Sequence, residues 1–192
     1  LMFVYYILFN SLIVYFIYRV IWYKNIDVDL RTLGLPLKKI GKVFRDFFIG
    51  VFSYTAALPV IFAGLMAYQR IFNETPRSAN PALHLIKAIQ EPSKLVFLFL
   101  VIGIVGPIFE EILFRGVLYG AIRKYMSAGW AIITSSFIFA LVHYDLGSIF
   151  PLFLLGCILA LIYERTSSII PSMVTHCIWN SMTFIVFSSL MN

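Results

Sequence analysis

The sequence predicts an all-α integral membrane protein, a bundle of about six or more transmembrane helices. Of its 192 residues, 61% are hydrophobic and 12% are charged, and the mean hydropathy is +0.91. An average soluble domain is about half apolar and a quarter charged, so much of this apolar surface must face lipid. The apolar runs are continuous and do not alternate with period two, which favours helices over a barrel.

Six apolar runs are long enough to form helices. They cover residues 2–22, 47–72, 95–122, 126–142, 149–163 and 169–191. At roughly 20 residues per crossing helix, the chain has room for these spans and their loops, and we treat 1–192 as a single membrane domain. The first run lacks a small-residue cleavage site and is interpreted as a span. The chain begins at Leu1 and not at Met, so we expect a preceding piece and take six spans as a minimum.

The formal net charge of +6 does not indicate a nucleic-acid partner. Most Lys and Arg residues lie in loops between apolar runs, where they set topology and contact anionic headgroups of the lipid bilayer. The loops after runs one, three and five carry more of them than the loops after runs two and four, which predicts that the former are cytoplasmic. The basic segment 24–45 is interpreted as an ordinary loop in preference to an amphipathic surface strip.

The third run is too long for a straight span. Its 28 or so residues would measure roughly 42 Å, against a hydrocarbon core of about 30 Å. We expect it to tilt or to break at Gly106-Pro107, because proline removes one hydrogen bond of the helix.

Three ionisable residues follow that break inside the apolar run: Glu110, Glu111 and Arg115. Unpaired, they would cost on the order of 8 to 10 kcal/mol near the bilayer centre. Glu111 and Arg115 are four residues apart on one helix face, so we expect them to pair. Glu110 points about 100° away and lacks this partner. An intramembrane carboxylate without a local partner usually marks a functional site, and Glu110 is a candidate general base.

Two further polar pairs occur at helical spacing, Phe139 with His143 and His176 with Asn180. A lone histidine in an apolar helix is more often packed than catalytic, but polar groups of a membrane bundle turn inward together. A Glu and a His can deprotonate a water molecule, while a second His and an Asn can donate hydrogen bonds to an oxyanion. In straight helices these residues would lie at different depths, so we expect kinks at Pro107 and Pro171 to bring them level.

These motifs resemble the CAAX prenyl protease and bacteriocin-processing family (CPBP, or ABI), which includes the Rce1-type membrane endopeptidases. The family pattern is EExxxR, then FxxxH, then HxxxN or HxxxD. The sequence has all three in order, at Glu110-Glu111 to Arg115, Phe139 to His143 and His176 to Asn180. The resemblance covers about residues 95–192, the expected catalytic core, and leaves 1–94 as N-terminal helices and a basic loop.

The resemblance implies that the chain is a glutamate-type intramembrane protease. It also implies a multi-pass protein in the cell membrane of a prokaryote. By this resemblance, Glu110 and His143 activate the water, and His176 and Asn180 form the oxyanion pocket. Glu111, Arg115 and Phe139 are supporting residues. The expected partner is a peptide or protein substrate, and whether it is prenylated or membrane-bound stays open, as does the oligomeric state. No cofactor is expected.

Three alternatives are kept. A zinc protease is one, because two His and a Glu are acceptable ligands, although the helical HExxH signature is absent. A non-catalytic membrane adaptor or bacteriocin-immunity protein is the second. A proton-coupled transporter is the third and weakest. Cys157 and Cys177 lie within apolar runs and are expected to pack, and Ser135, Ser136, Ser172 and Ser181 lack a nucleophile motif.

Overall fold

The computed structural model describes residues 40–73, 91–143 and 146–191, together with residues 15, 34 and 89. In these ranges the chain forms five helical segments and no strand. They are α1 (Ile40–Phe72), α2 (Pro92–Arg123), α3 (Ala128–Val142), α4 (Ile149–Thr166) and α5 (Ile169–Met191). A single 3-10 turn, Leu146–Ser148, precedes α4. The predicted all-α membrane fold is therefore confirmed.

Four of the five described helices, α1, α2, α4 and α5, are long and apolar enough to cross a membrane. The expectation that the fourth run also spans was wrong. Helix α3 has 15 residues and measures about 22 Å, short of a hydrocarbon core of about 30 Å. The first run, 2–22, lies outside the described residues apart from residue 15.

Helix α1 begins earlier than the hydropathy predicts. Residues 40–46 are helical, so the end of the basic segment 24–45 is the first part of a helix and not a loop. Lys42 and Arg45 thus lie on α1, one turn before the apolar run. The rest of that segment lies outside the described residues, apart from Gly34.

Helix α2 is interrupted where proline was expected to break it, and the interruption is a π-helical segment, Val101–Val105. The backbone N–H of Gly106 donates to the carbonyl of Val101, five residues back. Pro107 follows and has no N–H to donate. A second π segment, Ile112–Tyr119, comes directly after Glu111. Such segments inside helices are rare and often accompany functional sites.

The bundle is closed by α5, which packs along both α1 and α4. Ser167 takes a left-handed conformation that ends α4, and α5 begins two residues later. Pro171 is the third residue of α5. N–H groups in the first turn of a helix have no partner within it, so proline fits there without bending the helix. The expected kink at Pro171 is therefore not needed.

Side-chain hydrogen bonds and one close approach fix α5 against its neighbours. The hydroxyl of Thr175 donates to the carbonyl of Gly50 on α1 at 2.9 Å, and that of Ser172 donates to the carbonyl of Leu159 on α4 at 3.0 Å. A Cβ on Gly50 would come within 2.6 Å of the Val174 Cβ and 2.8 Å of the Pro171 carbonyl oxygen. Glycine is therefore what allows α1 and α5 to pack so closely.

The ends of α2 and α4 and the start of α1, which carry basic residues, lie close together. The end of α2 meets the end of α4, where Tyr119 and Arg123 hydrogen bond to Glu164 at 2.7 and 3.2 Å. The end of α4 turns directly into the start of α5, which packs beside the start of α1. This arrangement places the start of α1 and the connections after α2 and α4 at one end of the bundle. Their location in the cytoplasm stays a prediction.

We predict that Gly50→Ala destabilises the protein by about 1 to 3 kcal/mol, the usual cost of adding a methyl group to a tightly packed contact. Gly41→Ala is the matched control on the same helix, because a Cβ there meets nothing within 4 Å. In an open position alanine favours a helix by up to about 1 kcal/mol over glycine. Thermal unfolding in detergent measures both, and equal unfolding temperatures would contradict this packing.

Candidate active site

Three helices bring Glu110, His143 and His176 together. Oε2 of Glu110 lies 3.8 Å from Nε2 of His143 and 3.7 Å from Nε2 of His176. Glu110 lies on α2 between its two π segments, His143 caps the C-terminus of α3, and His176 is the eighth residue of α5. The three side chains therefore meet, although straight helices were expected to place them at different depths.

Glu111 connects two of these helices from a fully buried position. Its Oε1 accepts hydrogen bonds from Nη1 of Arg115 and from Nδ1 of His176, both at 2.8 Å. The side chain of Glu111 is 0% exposed and that of Arg115 is 2% exposed. The predicted pairing of Glu111 with Arg115 is confirmed. The bond to His176, 65 residues away, had no counterpart in the sequence reasoning.

Arg115 also contacts two further helices, α3 and α4. Its Nη2 donates to the carbonyl of Gly156 on α4 at 3.2 Å. Its guanidinium lies over the ring of Phe139, 4.6 Å from the centroid, an arrangement that the negative face of an aromatic ring stabilises. The arginine therefore ties α2 to α3 and α4 at the level of the histidines.

Phe139 supports both histidines from α3. Its buried ring contacts the ring of His143 at 4.7 Å and that of His176 at 5.7 Å, measured between centroids. Its backbone carbonyl accepts a hydrogen bond from Nδ1 of His143 at 2.8 Å. The sequence pattern indicated Phe139 as a supporting residue, and the structure places it in contact with both imidazoles.

The hydrogen bonds at Nδ1 define the direction of each imidazole. A carbonyl and an ionised carboxylate only accept, so Nδ1 is the donor in both rings and Nε2 of a neutral ring is an acceptor. Both Nε2 atoms face Oε2 of Glu110, which is buried and has no hydrogen-bond partner. Three acceptor atoms therefore converge at one point. A group with protons to donate fits between them.

Asn180 lies one turn after His176 on α5, and its side-chain amide bonds to the backbone of α2. Its Nδ2 donates to the carbonyl of Ile102 in the first π segment at 3.1 Å. One of the two amide hydrogens is used in this way, and an oxyanion would need the other. Its role in an oxyanion pocket stays a prediction.

Three of the four serines named above bond to backbone carbonyls, while Oγ of the fourth, Ser136, is buried. The hydroxyls of Ser135, Ser172 and Ser181 donate to the carbonyls of Ile132, Leu159 and Gly103. Both cysteines are free and half-buried, and Cys177 contacts the carbonyl of Ile104 through Sγ at 3.6 Å. Within the described ranges, no three His, Cys, Asp or Glu side chains are grouped as metal ligands.

Comparison with known proteins identifies the segment that carries this site. Residues 92–182 match the family described as type II CAAX prenyl endopeptidase Rce1-like. This segment belongs to the Rce1-like family. It contains every residue of the group around Glu110, from the first π segment of α2 to Asn180 on α5. The resemblance seen in the sequence motifs is therefore confirmed.

Two curated proteins are similar to the chain that carries this Rce1-like domain. One is YdiL of Bacillus subtilis strain 168, named as a membrane peptidase, which is 37% identical over 93 residues, 48% of this chain and 37% of its own length. The other is the membrane-embedded CAAX protease MroQ of Staphylococcus aureus strain USA300, 33% identical over 145 residues, 68% of this chain and 56% of its own length. The match thus covers about half or less of each relative. No solved structure is significantly similar to the chain.

We predict that Arg115→Met destabilises the protein by about 3 to 5 kcal/mol, because it leaves the buried Glu111 carboxylate without its cation. Arg123→Met is the matched control: this arginine also pairs with a glutamate but is 43% exposed, and exposed pairs contribute about 0 to 1 kcal/mol. The unfolding temperature in detergent measures both. If both variants unfolded at the same temperature, Arg115 would not be needed to stabilise the buried Glu111 carboxylate.

Proposed function

We propose that the chain hydrolyses peptide bonds within the membrane, using a water molecule activated at Glu110. The observation that supports this most directly is the convergence of Oε2 of Glu110 with the Nε2 atoms of His143 and His176 at 3.7 to 3.8 Å. These distances are too long for direct hydrogen bonds and too short for a water midway between two of the atoms, so the water would lie beside the three of them. Such a water donates its two protons to two of the three acceptors.

In this mechanism Glu110 is the general base, assisted by His143. The carboxylate takes one proton from the water as its oxygen attacks the substrate carbonyl carbon, which gives a tetrahedral oxyanion. The same proton passes to the amide nitrogen as the carbon–nitrogen bond breaks. The oxygen of the water becomes one oxygen of the new carboxyl group, and no covalent enzyme intermediate is formed.

The different partners of the two histidines support different roles. Nδ1 of His143 faces a neutral carbonyl, whereas Nδ1 of His176 faces the Glu111 carboxylate. A carboxylate in this position holds the tautomer and stabilises an imidazolium that forms during the reaction. His176 is thus suited to be an imidazolium that takes up a solvent proton on Nε2 before the water attacks, and to hydrogen bond through that N–H to the oxyanion without losing the proton, with Asn180 as the second donor.

The two adjacent glutamates differ in exposure, and Oε2 of Glu110, the atom proposed to activate the water, is itself buried. Glu110 is 34% exposed, whereas the neighbouring Glu111 is fully buried. One relative is named a CAAX protease, so a prenylated C-terminal peptide is the first substrate class to test, followed by leader peptides.

Glu110→Gln is expected to abolish cleavage by the detergent-purified protein, because an amide cannot accept the proton of the water. Asn180→Ala is expected to lower kcat about a hundredfold, the usual loss for one oxyanion donor. A peptide library that includes farnesylated C-terminal peptides provides the substrates. Thr183→Ala is the control, since its exposed hydroxyl bonds only within its own helix, to the carbonyl of Trp179.

The same assay distinguishes the alternatives. Cleavage that is lost on exhaustive chelation and restored by zinc would favour the zinc protease over the metal-free mechanism. A folded wild-type protein that cleaves no peptide in the library would favour the adaptor or immunity function. Full activity in Glu110→Gln would rule out Glu110 as the base.

A further inference from the structure

The first π segment of α2 turns three consecutive carbonyls toward α5. The carbonyl of Ile102 lacks a helical donor, because Gly106 bonds to Val101 instead and the next residue, Pro107, has no N–H. The carbonyl of Gly103 loses the donor that residue 107 would provide in an ordinary α-helix. Unpaired carbonyls in a lipid environment cost several kcal/mol each unless another group donates to them.

Side chains of α5 supply these donors. Asn180 donates to Ile102 at 3.1 Å, Ser181 to Gly103 at 3.4 Å, and the weaker thiol donor of Cys177 contacts Ile104 at 3.6 Å. The three residues have spacings of three and four and therefore share one face of α5. One helix face thus matches one interrupted turn of the other helix, carbonyl by carbonyl.

Gly103 allows the two helices to approach closely enough for these bonds. It is buried, and a Cβ added there would come within 2.9 Å of Oγ of Ser181. The Cα of Ser181 would lie at 3.5 Å from the same Cβ, which is ordinary contact. The hydroxyl oxygen is therefore the atom that a larger residue at position 103 would displace.

We infer that Ser181, together with Asn180, is a positioning residue that holds Glu110 toward the two histidines. This inference rests on the proposed function and adds a residue to it. A π segment adds one residue to a helical turn, so its loss would rotate everything after it by about 100°. Glu110 comes five residues after the segment ends, and such a rotation would turn its carboxylate away from His143 and His176. The hydrogen bonds from α5 make the interrupted form the stable one.

Ser181→Ala tests the inference, because Ser181 has no part in the proposed chemistry. We expect kcat to fall about tenfold, equivalent to about 1.4 kcal/mol in the barrier, with KM within about twofold, since a displaced base slows the reaction and not the binding. Thr183→Ala, two residues along α5, is the control and is expected to match the wild type. Wild-type kcat in Ser181→Ala would overturn the inference.

The double variant Gly103→Ala/Ser181→Ala separates positioning from packing. If Ser181 and Gly103 only fill space, removing Oγ makes room for the new Cβ and the double variant recovers wild-type kcat. If the hydrogen bond to the Gly103 carbonyl positions Glu110, the double variant is no more active than Ser181→Ala. Recovery to the wild-type value would contradict the inference.

A spectroscopic measurement decides the inference even if the wild type cleaves nothing in the library, in which case the proposed function alone fails. The ¹⁵N resonance of the His176 Nε2 atom reports the carboxylate 3.7 Å away. We expect it to shift in Ser181→Ala and to stay unchanged in Thr183→Ala. Superposable His176 resonances in wild type and Ser181→Ala would overturn the inference.

Discussion

The arrangement of the site depends on one buried carboxylate oxygen, Oε1 of Glu111. It accepts from Arg115 on its own helix and from His176 on α5, each at 2.8 Å. An ionised group at this depth is costly unless it is paired and hydrogen bonded. That cost makes the two contacts mutually dependent, because losing either leaves a charge less well compensated. The orientation of His176 and the joining of α2 to α5 therefore have the same physical cause.

The two adjacent glutamates have different surroundings, and the difference follows from helix geometry. Residues next to each other on a helix point about 100° apart, so Glu111 faces the packed interior while Glu110 faces the gap between α2, α3 and α5. Glu111 is fully buried and its Oε1 is paired with Arg115 and His176, whereas Glu110 is 34% exposed and faces both imidazoles; the Oε2 atom of each glutamate has no hydrogen-bond partner within the described residues. One carboxylate thus stabilises the bundle, and the other is free for the proposed chemistry.

Much of this arrangement could be predicted from hydropathy and spacing. The apolar runs gave the described helices, and the i, i+4 spacing gave the ion pair of Glu111 with Arg115. Contacts between helices could not be predicted, because nothing in the sequence relates His176 to Glu111 or Asn180 to Ile102. Proline indicated where α2 is interrupted, but the form of the interruption depends on donors from α5. The fourth run and α3 end at the same residue and differ only by Met126 and Ser127, so α3 is short because the apolar run itself is short.

A structure that resolves ordered solvent around Glu110 tests the central claim most directly. The account predicts one water molecule within hydrogen-bond distance of Oε2 of Glu110 and of Nε2 of both His143 and His176, with each Nδ1 bonded to Phe139 or Glu111. A direct hydrogen bond between Glu110 and either imidazole with no solvent between them, or a metal ion at that position, would contradict it.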